Sequence, residues 1–231
     1  TANAIADCLA SNYDVNNVEL VDINDLRTSR EKLHFYKMEC TGNDFILVDT
    51  SEQPVSNPAG LAVRLCNRRT GIGADSLIIV EKSDKADAAM RFYNQDGTEV
   101  NMSGNGLRAV AKYLFDNNVN GIADNHNPTE PTAEITVETQ NGVKNLTIYK
   151  LNGKVSAVSV DMGKPEFAPE KLPTTLEAKD GKIVNVPLTV NGMNYDVTCL
   201  SVGNPHCVVF CGFVDKVNVE IIGPMFENDS V

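Results

Sequence analysis

The sequence predicts an α+β protein built in two similar halves, and three observations carry that expectation. Short apolar runs alternate with Gly- and Asn-bearing turn signals, and two segments repeat their apolar residues at helical spacing. A stretch rich in Asn and Pro at 117–131 is followed by what reads as a restart of the same order of elements. Two α+β halves around a linker fit this pattern better than a parallel βαβ sheet.

Residues 1–32 stand apart as an extension of unknown role: a short helix over 2–9, a short strand over 18–21 and a polar connector over 24–32. Segments 34–38 and 45–49 read as strands separated by the turn Thr41-Gly42-Asn43-Asp44. From 58 to 69, Leu61, Ala62, Leu65 and Cys66 recur at helical spacing, and Pro58 suits a first helical turn. Segments 77–80 and 88–93 are strand-like. Over 106–115, Leu107, Val110, Ala111, Leu114 and Phe115 share one face of a second helix. Beyond the linker, 134–138, 146–149 and 155–160 read as strands, with turns at Asn141-Gly142 and Asn152-Gly153. Segments 200–202 and 208–211 flank the insert Gly203-Asn204-Pro205-His206, and Ile221, Ile222, Met225 and Phe226 indicate a last helix. The domains expected are therefore 33–130 and 131–231, with a small-molecule site in the cleft between two halves.

With 231 residues the chain can hold one large core or two small ones. Its formal charge of −11 comes from acidic residues scattered along the sequence, which argues against nucleic acid or an anionic membrane as partner. No window reaches the ~18 apolar residues of a membrane span. No secretory signal is visible, and the first residue is Thr1 rather than Met, so removal of an upstream segment is expected. Cys8, Cys40, Cys66, Cys199, Cys207 and Cys211 form no CxxC pair, so reduced cytoplasmic thiols are expected, with neither a disulfide framework nor a zinc site.

Three segments could carry chemistry. Ser103-Gly104-Asn105-Gly106 opens an apolar-faced helix, where free backbone N–H groups at the positive end of the dipole can hold a carboxylate or phosphate. The alternative is a plain N-cap, Ser103, with glycines serving a tight turn. In Gly203-Asn204-Pro205-His206, Asn and His could touch a polar ligand, although Asn-Pro is also ordinary turn chemistry. Thr70-Gly71-Ile72-Gly73-Ala74-Asp75 follows a helix and precedes a strand, the reverse of the dinucleotide-binding order; its glycines are expected to end the helix and turn the chain.

Taken together, these segments resemble the diaminopimelate epimerase family of PLP-independent amino-acid epimerases, and the resemblance covers residues 33–231. It rests on five strings in order: residues 37–45, 68–75 and 92–100, Gly104-Asn105-Gly106-Leu107-Arg108, and Gly203-Asn204-Pro205-His206-Cys207. The resemblance implies two similar α+β domains, each a curved, mostly antiparallel sheet wrapped around a central helix, the second incomplete here. It implies cofactor-independent interconversion of LL- and meso-diaminopimelate, on the bacterial route to lysine and peptidoglycan. Asn43, Ser76, Asn94, Gly104, Asn105 and Asn204 would line the substrate site. Asn94 and Asn204 would meet the distal end of the substrate, and the helix opened by Gly104 would hold the α-carboxylate. The partners expected are a small-molecule amino acid and, at most, a second copy in a homodimer. No cofactor and no metal are expected.

Inverting a stereocentre without PLP requires one group to remove an α-proton and another to deliver one from the opposite face. The family uses two cysteines, one directly before the Gly-Asn-Gly turn and one before a similar turn in the other half. Here the first position is Ser103, whose hydroxyl is far less acidic than a thiol. The family's pattern also continues, beyond the point matched by Val231, to a Glu-Arg pair and the second cysteine. The expectation is therefore an epimerase scaffold that is inactive as it stands. The alternatives are a racemase or dehydratase acting on another amino acid, or a non-catalytic binding protein of the same fold.

Overall fold

The computed structural model describes residues 18–19 and 32–230; the helix expected over 2–9 and most of the connector over 24–32 lie outside them. The chain divides into two compact units, the first running through Asp161 and the second starting at Met162. The boundary expected at 130/131 falls inside the first unit, because the three strands after the linker are hydrogen-bonded into its sheet. Among the described residues no helix is long and apolar enough to cross a membrane.

Strand β1 (Val18–Glu19) pairs with β2 (Lys32–Leu33). The main sheet of the first unit comprises β3 (Tyr36–Cys40), β4 (Asn43–Asp49), β5 (Ser76–Glu81), β6 (Ala88–Asn94), β7 (Glu99–Val100), β8 (Thr132–Thr139), β9 (Gly142–Leu151) and β10 (Lys154–Val160). Their order is β10-β9-β8-β6-β5-β4-β3, with β7 on β6; only β4–β5 and β6–β8 are parallel. Two helices cover its faces, α1 (Pro58–Cys66) and α2 (Gly104–Asp116).

Helix α1 packs Ala62, Leu65 and Cys66 against Ile46, Val48, Leu77, Ile79 and Tyr93. It stops three residues short of the expected end because Asn67 leaves helical dihedrals and its side-chain oxygen caps the amides of Arg69 and Thr70. The opposite face receives α2, which lies against β3, β4, β6, β8, β9 and β10, so the sheet curls around it. The Tyr113 hydroxyl on α2 donates to the buried Asp49 carboxylate at 2.7 Å, and burial followed by this bond pushes that hydroxyl's pKa far up. At the far edge, Val155 N–H donates to Asp116 at 2.9 Å, tying β10 to the helix end. Because β4 is covered on both faces, Phe45, Ile46, Leu47 and Val48 are all fully buried, and the strand shows no apolar–polar alternation.

The turn expected at 41–44 is shorter: Cys40 pairs directly with Asn43, leaving Thr41 and Gly42 as the turn. Both have positive φ (55° and 83°), the twist that suits a two-residue hairpin. This puts Asn43 inside β4 rather than in the loop.

In the second unit, β11 (Val186–Val190), β12 (Met193–Ser201) and β13 (Pro205–Val209) form an antiparallel sheet. Leu172, Ile183, Leu188, Val190, Val197 and Cys199 make its core, joined by Met225 and Phe226 from α3 (Val219–Glu227). Pro205 and His206, expected in an insert between strands, are already paired with β12.

Candidate active site

Three of the expected site residues come together through strand register. Asn43 opens β4, Ser76 opens the parallel β5, and Asn94 ends β6, directly opposite Ser76. The period-2 alternation of strands puts Asn43 on the side of Phe45, and Asn94 on the side of Phe92. Those two rings meet edge to face at 5.9 Å under α2. Ser76 is 4% exposed, so it shapes the floor more than it meets solvent. Asn94 is held by its own turn: its amide N–H takes the Thr98 carbonyl at 2.9 Å and its side chain donates to the Thr98 hydroxyl at 3.1 Å.

Helix α2 begins at the same end of the sheet. Ser103 is its N-cap, in extended conformation, and its hydroxyl accepts from Gly106 N–H at 3.1 Å. The N–H groups of Gly104 and Asn105 are left without an intrahelical partner, at the positive end of the dipole. Gly106 lets the helix sit low without crowding: a Cβ there would lie 3.0 Å from the Phe92 ring, so the ring would have to give by a few tenths of an ångström. Gly106→Ala is therefore expected to lift the first turn and to cost about 1–3 kcal/mol, read as a lower Tm; an unchanged Tm would show that the ring yields freely.

The side chains of Asn43 and Asn105 join the strand to the helix. Asn105 Nδ2 donates to Asn43 Oδ1 at 3.4 Å, and Asn43 Nδ2 donates to Asp75 Oδ2 at 2.7 Å. Behind this pair stands a charged cluster that the local pattern spread over a strand (Lys37), a helix (Arg68) and two turns (Asp44 and Asp75). Arg68 donates to both Asp44 oxygens, at 2.7 and 3.1 Å, and to Asp75 Oδ1 at 2.8 Å. Lys37 Nζ pairs with Asp44 Oδ2 at 2.6 Å and also donates to the Gly73 carbonyl. The available signal was three acids and three cations within the strings 37–45 and 68–75, a charge density that plain turns do not need.

Burial works to raise the Asp44 carboxyl, but hydrogen bonds from Arg68 and Lys37 outweigh it and hold the group well below the usual carboxylate range. A carboxylate depressed in the folded state contributes stability above its unfolded value, near ~3.9, and loses it as pH falls below that toward the folded value. The urea midpoint is thus expected to drop as pH falls from about 5 to 2, and Asp44→Asn should flatten that limb. An equally steep limb in the variant would remove Asp44 from the account.

Asn204 lies in the second unit, exposed, just before β13, with its Oδ1 3.1 Å from His206 Nε2. Cys199 and Cys207 face each other across β12 and β13. Burial pushes Cys199 up to about 11 and raises Cys207, so neither is poised as a thiolate at neutral pH.

Comparisons with known proteins agree with one another. The family model described as diaminopimelate epimerase matches residues 35–168. The diaminopimelate epimerase of Agathobacter rectalis is 41% identical over 201 residues, covering 85% of this chain and 67% of that protein. The enzyme so named from Desulfovibrio desulfuricans is 38% identical over 200 residues, covering 85% of this chain and 66% of that protein. The chain thus spans about two thirds of the length of these relatives. Among solved structures, a hydroxyproline epimerase from Agrobacterium vitis, with bound trans-4-hydroxy-L-proline, superposes with a TM-score of 0.51 at 15% identity, over 82% of this chain and 52% of that one. A probable proline racemase from Agrobacterium radiobacter gives 0.50 at 16%, with the same coverage. At such identities the structural matches speak for the fold alone.

Proposed function

The chain belongs to the diaminopimelate epimerase family, and on that premise we propose that the protein binds diaminopimelate without epimerising it. The reaction of the family, in this reading, is cofactor-independent interconversion of LL- and meso-diaminopimelate by two-base proton transfer. The observation that carries the proposal is the meeting of Asn43 and Asn105 at the opening of α2, beside a cap that is a hydroxyl.

The α-carboxylate is held by the free N–H groups of Gly104 and Asn105, an arrangement that needs no cationic side chain. Asn43 and Asn105 supply further donors, Asn94 and Ser76 line the sheet side, and Asn204 is a substrate contact on its own unit. Ser103 occupies the place of the first proton-transfer group. Its oxygen already serves the helix cap, and an alcohol is too weakly acidic to alternate between acid and base as a thiol near ~8.5 does. The same residue favours, as a second reading, a racemase or dehydratase of the same fold acting on another amino acid. The proposal extends to a cytoplasmic setting in lysine and peptidoglycan precursor synthesis and to a homodimer, with neither nucleic acid nor membrane as partner.

Titration calorimetry of the full-length protein with meso-diaminopimelate, LL-diaminopimelate and lysine tests the binding claim. Saturable binding of either diaminopimelate, with lysine weaker, is expected. A protein that binds none of the three would end the reading.

A further inference from the structure

The Asn43–Asn105 pair sits in the middle of a longer chain of polar groups. From one end, Arg68 donates to Asp75, and Asp75 accepts from Asn43 Nδ2 at 2.7 Å. Asn43 Oδ1 accepts from Asn105 Nδ2, and Asn105 Oδ1 accepts from Arg108. The Arg108 guanidinium also donates to the Thr41 hydroxyl at 3.3 Å, in the β3–β4 turn. An Asn amide has an acceptor end and a donor end that can exchange places by rotation about its last bond. Here neither can turn. A carboxylate at one terminus accepts only, and a guanidinium at the other donates only, so the direction of every bond between them is dictated. The amide oxygen of each Asn is engaged inside the chain, and each NH₂ has one hydrogen left over.

We infer that Arg108 is a positioning residue: it fixes the orientation of the Asn105 amide, whose only other side-chain bond is the 3.4 Å contact with Asn43, so that Asn105 offers an N–H to the ligand beside the Asn43 amide that Asp75 holds. This rests on the substrate reading given above. Without Arg108, only the 3.4 Å bond to Asn43 opposes rotation of Asn105, which can then point its oxygen where an N–H stood, while Asn43 stays held by Asp75. A carboxylate ligand would then meet an acceptor in place of a donor. Arg108 also ties the β3–β4 turn to the first turn of α2, so a purely structural role has to be distinguished from the one inferred.

Three variants separate these roles: Arg108→Leu removes the donor, Arg108→Lys keeps one, and Thr41→Val removes the turn contact, together with the local bond of the Thr41 hydroxyl to the Cys40 carbonyl, while leaving the Asn105 contact in place. With meso-diaminopimelate as the probe, R108L is expected to bind at least about tenfold more weakly, the loss of one charged hydrogen bond. R108K should recover to within about threefold, and T41V should match the unmodified protein. Tm should be nearly the same in all. Equal affinity in R108L overturns the inference, as does a loss that tracks Tm and is not rescued by lysine. The side-chain amide resonances of Asn43 and Asn105 in ¹⁵N-labelled protein give an arm that needs no ligand. R108L should shift the Asn105 pair and speed its hydrogen exchange more than that of Asn43, whereas unchanged Asn105 resonances overturn the inference even if the binding reading itself has failed.

Discussion

Replacing Ser103 by cysteine in the full-length protein is expected to raise the rate of α-proton exchange of diaminopimelate in D₂O by about 10²- to 10⁴-fold. The substitution changes one atom at a position the fold already prepares. The side chain sits at the cap of α2, where the helix dipole lowers a thiol from its ordinary ~8.5 and stabilises the thiolate. The gain should grow with pH until the thiolate is fully formed. A weaker cap for Gly106 N–H is the cost, about 1 kcal/mol or less, so a fall in Tm of a few degrees would accompany the gain. Ser103→Ala, which removes the cap without adding a thiol, should show the stability loss and no exchange. If cysteine brings no exchange while diaminopimelate still binds, the cap position is not where proton transfer is organised.

Asp75→Ala should weaken binding by about 10- to 100-fold, the equivalent of about 1.5–3 kcal/mol for hydrogen bonds to a charged group. Asp75 accepts from Asn43 Nδ2, from Asp44 N–H at 3.1 Å and from Arg68, so its loss frees the Asn43 amide and leaves Arg68 to Asp44 alone. Asp75→Asn keeps the shape and an oxygen but also brings a donor amide that can face Asn43 wrongly; it should fall between Ala and the unmodified protein. Calorimetric affinities measured beside Tm separate the two effects. An affinity that stays put while Tm drops would make the cluster a structural support only.

The parts of the fold that were legible in the sequence are those with a strong local pattern. Helix α2 reads from Leu107, Val110, Ala111 and Leu114 on one face and from Ser103 as cap, and its end beyond Phe115 differs by one residue. The hairpin at Asn152-Gly153 is equally clear, because both residues take the positive φ that such a turn asks for. Strand β11 was not anticipated: Val186 to Val190 includes Pro187, and proline within a short run argues against a strand except at a sheet edge, which is where β11 lies. Nor did local pattern reveal that β8 pairs with β6, a parallel contact across the linker that moves the boundary between units to Asp161.

The candidate site divides in the same way. The opening of α2 could be read from Ser103-Gly104-Asn105-Gly106 because helix ends have local signatures. Asn43, Ser76 and Asn94 converge only through strand register, which no local window contains; the resemblance to a family supplied them. The roles of Lys37, Arg68, Asp44, Asp75 and Arg108 escaped because the bonds that tie the cluster together cross between distant segments, although Lys37–Asp44, Arg68–Asp75 and Arg108–Asn105 are near in sequence. Arg68 and Asp44 are separated by 24 positions, and Arg108 and Thr41 by 67.

On the proposed function, the site binds the amino acid and lacks the proton-transfer group at α2. The most direct test is proton NMR of meso-diaminopimelate in D₂O with saturating full-length protein carrying Ser103. The account predicts binding, seen as ligand line broadening, with no deuterium entering the α-positions over many hours. Deuterium wash-in by the unmodified protein would contradict it, since some other group would then be removing the α-proton.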